Sequence, residues 1–301
     1  MAVGWVAATV APPMRCAYVD LDGTLLGPGG SLLRGADGRF ALDGVRALQA
    51  CSRAEVEVVL YSGRRQGSVF ELSRLIGSTA YIFEIGCGLV VDGSLEWLTD
   101  GVVPSPEKGT IYEQIDASGA PRLLLEHFAG RLEYHTPWSQ QRDVSHLFRG
   151  LVDLDAVDAL LEQAGLGWLR LLDNGIVHEH MAPLTAGQAA TRIERASGLR
   201  EDLPVVRAYH LIPAAASKAR AVARHMQARG YTSEDCIAVG DSREDLEAIS
   251  AVGAFWLVAN ALDVDPGLAS DVAGRPGVRI ASEPYGAGVY EAVVTTLATE
   301  R

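Results

Sequence analysis

A chain of 301 residues is long for one hydrophobic core, so two domains are expected. Hydrophobic residues at 48% and charged residues at 21% suit an ordinary globular protein, and a formal net charge of −12 argues against nucleic acid, whose binding neutralises phosphates with Lys and Arg. No run approaches the ~20 apolar residues of a membrane helix, and residues 1–13 read as an N-terminal extension without a secretory leader's basic segment. Cys16, Cys51, Cys87 and Cys236 form no C-x-x-C pair and read as reduced core residues of a cytoplasmic protein.

The first predicted element is CAYV, Cys16–Val19, a continuous apolar run of the kind buried on both faces of a parallel sheet. It stops at Asp20 and Asp22, followed by Gly23 and Thr24. The C-terminal edge of such a sheet is where ligands bind. Alternate residues of an extended chain point the same way, so the two carboxylates can converge, and they then repel unless a cation or proton separates them. Mg²⁺ fits that demand; an Asp-Gly turn between two strands is the bland alternative. A second β-rich run at 56–60 leads into Tyr61, Ser62, Gly63 and Arg64. Further on, 106–117 reads as a helix, 132–135 and 145–150 as strands, and 154–164 as a helix with Asp153 or Asp155 as N-cap. Strands at 168–172 and 176–180 flank Asp173-Asn174-Gly175, a type I′ hairpin signal; a helix at 185–197 and a strand at 205–212 follow. Helices on one face of an antiparallel sheet make an α+β module. Lys218 then opens a helix, where the dipole disfavours a cation unless it serves a bound anion. Another strand, CIAV at 236–239, runs into Gly240, Asp241, Ser242, Arg243, Glu244 and Asp245.

DLDGT at 20–24, SGR at 62–64, Lys218 and GDSREDLEAI at 240–249 stand in the order and character of the four motifs of the haloacid dehalogenase superfamily. More narrowly, the chain resembles its Cof-like subclass IIB sugar-phosphate phosphatases, which VANA at 258–261 and GAGVYEAV at 286–293 also match. The resemblance implies an α/β fold: a Rossmann-like parallel-sheet core from residues 14–92 plus 214–301, with an α+β cap, 93–213, inserted to close over the site. It implies a Mg²⁺-dependent phosphatase acting on a small phosphorylated metabolite, with neither nucleic acid nor membrane as partner. Asp20 is then the nucleophile that forms an aspartyl phosphate, and Asp22 the general acid and base. Mg²⁺ is held by the Asp20 and Asp241 carboxylates and the Asp22 main-chain carbonyl. Ser62, Gly63 and Lys218 bind the phosphoryl group, and Thr24, Ser242 and Asp245 support them, Asp245 either reaching the metal through water or orienting Lys218. One departure is Ile85-Gly86-Cys87-Gly88 after Glu84, where many relatives carry Asn-Gly.

Structural readings stand beside these. Ser62 alone suits an N-cap for a helix starting near Gln66, Asp245 a first-turn acid, and Arg64 and Arg65 loop cations outside the site. His178 and His180 share a strand face, a weak zinc signal without further ligands. Tyr134, Trp138, Gln140, Gln141, Arg142 and His210 are cap candidates for a hydroxyl-rich ligand. A haloacid dehalogenase is disfavoured by Asp22, and a phosphate-transporting ATPase of the superfamily by the lack of membrane helices. A phosphomutase and a non-catalytic phosphometabolite-binding protein are the alternatives, the latter opposed by the presence of Asp20, Asp22, Lys218 and Asp241 together.

Overall fold

The computed structural model describes residues 14–177 and 198–299. The N-terminal extension, the helix expected at 185–197 and the pair His178 and His180 lie outside the described residues. The strands, in chain order, are β1 (Cys16–Val19), β2 (Glu57–Tyr61), β3 (Ala80–Phe83), β4 (Gly88–Val91), β5 (Ser94–Trp97), β6 (Leu132–Tyr134), β7 (His146–Gly150), β8 (Leu169–Ile176), β9 (Arg207–Pro213), β10 (Cys236–Gly240), β11 (Ala254–Leu257) and β12 (Val278–Ile280).

Eight strands form one sheet in the order β12-β11-β10-β1-β2-β3-β4-β5. It is parallel from β12 to β3, and β3-β4-β5 close it as an antiparallel meander. CAYV is central because all four residues are buried, with Ala17 and Val19 facing one core and Cys16 and Tyr18 the other. The helices Asp43–Arg53 and Tyr285–Thr299 cover the first face through Ala47, Cys51, Val289, Ala292 and Val293. The helix Lys218–Arg229 covers the second through Ala221, Val222 and Met226. No helix among the described residues is long and apolar enough to cross a membrane.

The remaining four strands form an antiparallel sheet, β6-β7-β9-β8, whose core gathers Ile111, Leu124, Phe148, Val157, Leu161 and Leu211. The helix expected over 106–117 is confined to Ile111–Ala117, because the reciprocal capping box between Thr110 and Glu113 sets its start. Of the two N-cap candidates for Leu154–Gln163, Asp153 accepts the Asp155 N–H.

The Asn174-Gly175 hairpin is a correction. β8 runs straight through Asp173-Asn174-Gly175, with Leu172 paired to His210 and Ile176 to Arg207. The pairing shifts between Asp173 and Ile176, and Gly175 takes φ +97°. The same left-handed glycine that would close a type I′ turn here makes a bulge, because β9 is available as partner over the full length of β8. Arg207 fastens the bulge to Asp173 Oδ2 at 2.5 Å.

The large sheet's order sets neighbouring strand ends side by side. Val19 pairs with Val239 on one flank and with Leu60 on the other, so Asp20, Ser62 and Asp241 leave one edge together. The Glu84-Ile85-Gly86 turn beside them is left-handed throughout, with φ of +45°, +60° and +82°. A Cβ on Gly86 would collide with the Ser217 carbonyl, where the chain enters the Lys218 helix. Gly86→Ala is expected to lower stability by about 2–4 kcal/mol, from left-handed strain plus overpacking against backbone. Denaturant titration checks this, and a loss below about 1 kcal/mol would contradict it.

Candidate active site

Asp20 follows β1 and is 5% exposed. Its backbone N–H donates to Val239 O at 3.0 Å, which locks the end of β1 to the end of β10. Lys218 Nζ donates to Asp20 Oδ1 at 2.8 Å and to Asp245 Oδ1 at 2.6 Å, and lies 3.2 Å from Glu244 Oε2. The ammonium also sits 4.7 Å over the centre of the Tyr61 ring. Asp245 is held from its other side: Oδ2 accepts from Asp241 N, Ser242 N and Ser242 Oγ at 3.2, 3.1 and 2.7 Å. Ser242 in turn caps the short helix Arg243–Leu246 by accepting from Asp245 N. Thr24 Oγ1 donates to Asp241 Oδ1 at 3.0 Å, and Asn260 Nδ2 donates to Gly23 O at 2.8 Å, tying the VANA segment to the loop after β1.

Ser62 is buried beside this group and does not cap the following helix. Gln66–Ile76 begins after Arg65 with no side-chain cap, and Ser62 Oγ accepts from Arg64 N at 3.2 Å. Arg64, set aside as a loop cation, is part of the site. Its Nε and Nη2 donate to both oxygens of Asp22 at 2.6 and 2.5 Å. Asp22 is thus the outer carboxylate, with 56% of its side chain exposed.

The small sheet arrives over Gly63. A Cβ on Gly63 would lie 3.2 Å from His210 Nε2 on β9 and 3.3 Å from Asn174 Nδ2 on β8. Arg142 Nη1 donates to Gly63 O at 3.0 Å, and Arg65 donates to the Gln141 side chain. Glu84 fixes this arrangement. Its carboxylate accepts from Asp143 N, Val144 N, Ser145 N and Ser145 Oγ at 2.6–3.2 Å, with Arg142 at 3.8 Å. Of the candidates for this face, Arg142, Gln141 and His210 reach the loop after β2. Tyr134 is hydrogen-bonded to His146 within its own sheet, and Trp138 and Gln140 are exposed. Glu84 and Asn174 were missed: Glu84 was noted only as preceding a departure, and Asn174 only as a turn residue.

A family model described as haloacid dehalogenase-like hydrolase matches residues 207–266, the stretch from β9 through Lys218 to Asp241, Asp245 and Asn260. Over that stretch the chain is similar to the haloacid dehalogenase-like hydrolases. Phosphoglycolate phosphatase from Halobacterium salinarum is 38% identical over 86 residues, 29% of this chain and 35% of that protein, so the match spans about a third of the curated relative's length. Sucrose-phosphatase from Synechocystis, solved with sucrose and phosphate, shares the fold with a TM-score of 0.61 at 15% identity, over 95% of this chain and 98% of that one. A phosphatase of the haloalkanoate superfamily from Bacteroides thetaiotaomicron gives 0.57 at 13% identity, over 98% and 99%.

Three buried acids, Asp20, Glu244 and Asp245, close on the single Lys218 ammonium, with the half-buried Asp241 beside them. Burial works against the charge on Lys218, but Asp20, Asp245 and Glu244 outweigh it and hold its pKa well above the ordinary value. Burial first pushes Asp20 and Asp241 up; the charges of Asp245 and Asp22 add to it at Asp20, and those of Asp20 and Asp245 at Asp241, with Lys218 pulling the other way at both. Oxygens of Asp20, Asp241 and Asp245 lie within 4.8 Å of one another. Asp245 is pinned by Lys218 and by three donors of its own loop, while Asp20 and Asp241 each keep one oxygen without a hydrogen bond among the described residues. Gly23 keeps room beside them, since a Cβ there would overlap the Asp241 carboxylate. An all-oxygen, net-negative pocket of this kind fits a hard divalent cation.

Lys218→Met would strand three buried carboxylates. The expected destabilisation is about 3–5 kcal/mol near neutral pH, the scale of breaking a buried ion pair from one side. Stranded acids have folded-state pKa values above their unfolded ones, so they stabilise the fold below the unfolded pKa and lose that contribution as pH rises through the folded one. The deficit against wild type should therefore shrink as pH falls from about 8 to about 5, read from thermal or denaturant melts at each pH. A deficit that grows on acidification would contradict this account.

Proposed function

We propose that this protein is a Mg²⁺-dependent phosphatase that hydrolyses a small phosphorylated metabolite, a sugar phosphate or related monoester, through an aspartyl phosphate on Asp20, in the cytoplasm. The observation that carries the reading is the buried Lys218 ammonium bound to Asp20 at the edge where Asp22, Ser62 and Asp241 also emerge. Phosphate-monoester hydrolysis is among the slowest uncatalysed reactions, and forming a covalent carboxyl intermediate divides the barrier. Asp20 attacks phosphorus, and the leaving oxygen takes its proton from Asp22, which then accepts a proton from the water that releases phosphate. Ser62, the Gly63 loop and Lys218 hold the phosphoryl oxygens, while Asp245 orients Lys218. Asp20, Asp241 and the Asp22 main-chain carbonyl would hold Mg²⁺, which would supply neutralisation of the nucleophile and phosphoryl charge.

Residues 14–92 and 214–301 act as the catalytic core and 93–213 as the specificity cap, although Ser94–Trp97 continues the large sheet. The polar cap groups above Gly63, namely Arg142, Asn174 and His210, suit a hydroxyl-bearing substrate. Burial depresses His210 well below its usual value, with Arg142 adding to the effect, so it meets the substrate as a neutral imidazole. Phosphoglycolate phosphatase and sucrose-phosphatase both bear names of phosphate-monoester hydrolases, which supports this class.

Phosphate release from a panel of phosphorylated sugars, polyols and glycerate derivatives tests the reading. Activity should require Mg²⁺, vanish with excess chelator and vanish in a folded Asp20→Asn variant; turnover by that variant at wild-type rate would remove the nucleophile assignment. Asp22→Ala should slow natural substrates by about 10²–10⁴-fold, the usual contribution of a general acid. With p-nitrophenyl phosphate, whose leaving group needs little protonation, the first step should suffer less. An equal and small loss on both substrates would reduce Asp22 to a structural carboxylate.

A further inference from the structure

At the opposite end of β1 from Asp20, three donor atoms of different elements meet. Cys16 opens β1, Glu57 opens β2, and His225 lies on the Lys218–Arg229 helix. Their Sγ, carboxylate and ring-nitrogen atoms lie within 4.8 Å of one another. The His225 side chain is wholly buried, and its Nε2 has no hydrogen-bond partner among the described residues. The nearest charged group is Glu57 Oε1 at 3.7 Å, beyond hydrogen-bond reach. A buried ring nitrogen left unpaired carries a desolvation penalty unless something else occupies its lone pair or satisfies its proton.

The surrounding contacts are those that orient ligands. The other ring nitrogen, Nδ1, is hydrogen-bonded to Tyr18 Oη at 2.8 Å, and Tyr18 also packs edge-on against the ring. Glu57 Oε2 accepts from Tyr231 Oη at 2.9 Å, and Oε1 accepts from Arg229 at 2.9 and 3.1 Å. Arg229 is shared with Asp92, which draws part of its charge away from Glu57. Ligating histidines and carboxylates carry such outer hydrogen bonds, which fix the tautomer and the ring plane. Cys236 stands directly across the ladder from Cys16, a second thiol beside the cluster.

We propose that Cys16, Glu57 and His225 form a second metal site, for a zinc-class divalent cation, distinct in ligand chemistry from the all-oxygen site at the other end of the sheet. A thiolate, an imidazole and a carboxylate are the donor set of borderline-soft ions such as Zn²⁺, and a poor one for Mg²⁺. Bonds of about 2.0–2.3 Å place tetrahedral donors about 3.5 Å apart, so donors within 4.8 Å of one another must close by about 1.3 Å at most. Binding displaces the Cys16 thiol proton to solvent and leaves Nδ1–H donating to Tyr18. Burial, reinforced by Cys236, keeps that thiol protonated until a metal arrives. Access is from the Glu57 side, where 19% of the side chain is exposed.

The site has a mechanical consequence. Lys218 and His225 are seven residues apart on one helix, two turns or about 10 Å, so both face the sheet. Metal at the His225 end would clamp the foot of the helix to β1 and β2, the two strands whose far ends carry Asp20 and Ser62.

Titration of Co²⁺ into the full-length protein, stripped of metal by chelation, tests the site. One equivalent should give thiolate-to-cobalt absorption in the near ultraviolet, which Zn²⁺ abolishes and excess Mg²⁺ leaves unchanged. Carboxylates cannot give that band, so binding at Asp20 and Asp241 does not interfere. Cys16→Ser should weaken binding by at least about tenfold, and so should Glu57→Gln, whose partly exposed position makes it the deciding variant if Cys16→Ser does not fold. Cys51→Ser should bind as wild type. Absence of the band in wild type, or unchanged affinity in Glu57→Gln, overturns the proposal and leaves His225 as a core histidine paired only through Tyr18.

Discussion

The Lys218 ammonium, almost sealed from water, is the point on which the rest of the site depends. Three acids, Asp20, Glu244 and Asp245, converge on it from the ends of β1 and β10. None could remain ionised in so dry a place alone, and the ammonium could not stay charged without them. Each therefore fixes the others. Asp20 is held at the strand end, Asp245 is turned so that its second oxygen satisfies three donors around Asp241 and Ser242, and the Lys218 helix is held against the second face of the sheet. With Asp241 beside these three acids, the arrangement is still short of positive charge, the electrostatic condition that favours a cation there.

Glu84 is the counterpart of Lys218 on the cap side. It is fully buried, and burial raises its pKa while Arg142 and the backbone N–H groups of Ser145 and Asp143 oppose that shift. Four donors from Asp143 to Ser145 close on a side chain that leaves a left-handed turn of the large-sheet unit. The small sheet is thereby fastened beside the loop after β2, so His210 and Asn174 stand over Gly63 while Asp20 and Asp241 stay at the edge of the large sheet. The residues at 84–88 that depart from the family's Asn-Gly pattern are thus the ones that carry this junction, and Gly86 permits the Ser217 backbone to pass beside it.

The parts legible in the sequence were those whose cause is local. CAYV reads as a central strand because burial on both faces demands an unbroken apolar run, and Lys218 stands out because a lysine at a helix N-terminus opposes the dipole. Asp153 and Thr110 act as caps through neighbours two and three residues away. What escaped was set by distant partners. Arg64 looks like any loop cation until Asp22, 42 residues earlier, lies against it. Asn174-Gly175 carries the same left-handed signal for a turn and for a bulge, and the choice rests with β9, more than thirty residues on. Glu84 is unremarkable until the backbone of residues 143–145 points three N–H groups at it.

The Arg64–Asp22 pair joins the loop after β1 to the loop after β2. A bidentate guanidinium fixes both the position and the plane of the carboxylate it grips. Arg64 leaves the same loop as Ser62 and Gly63, and that loop is held by Arg142 and Gln141 from the small-sheet unit. Asp22, although more than half exposed, is therefore placed by the same loop that carries Ser62, so the carboxylate leaving one strand end and the hydroxyl leaving its neighbour keep a common register.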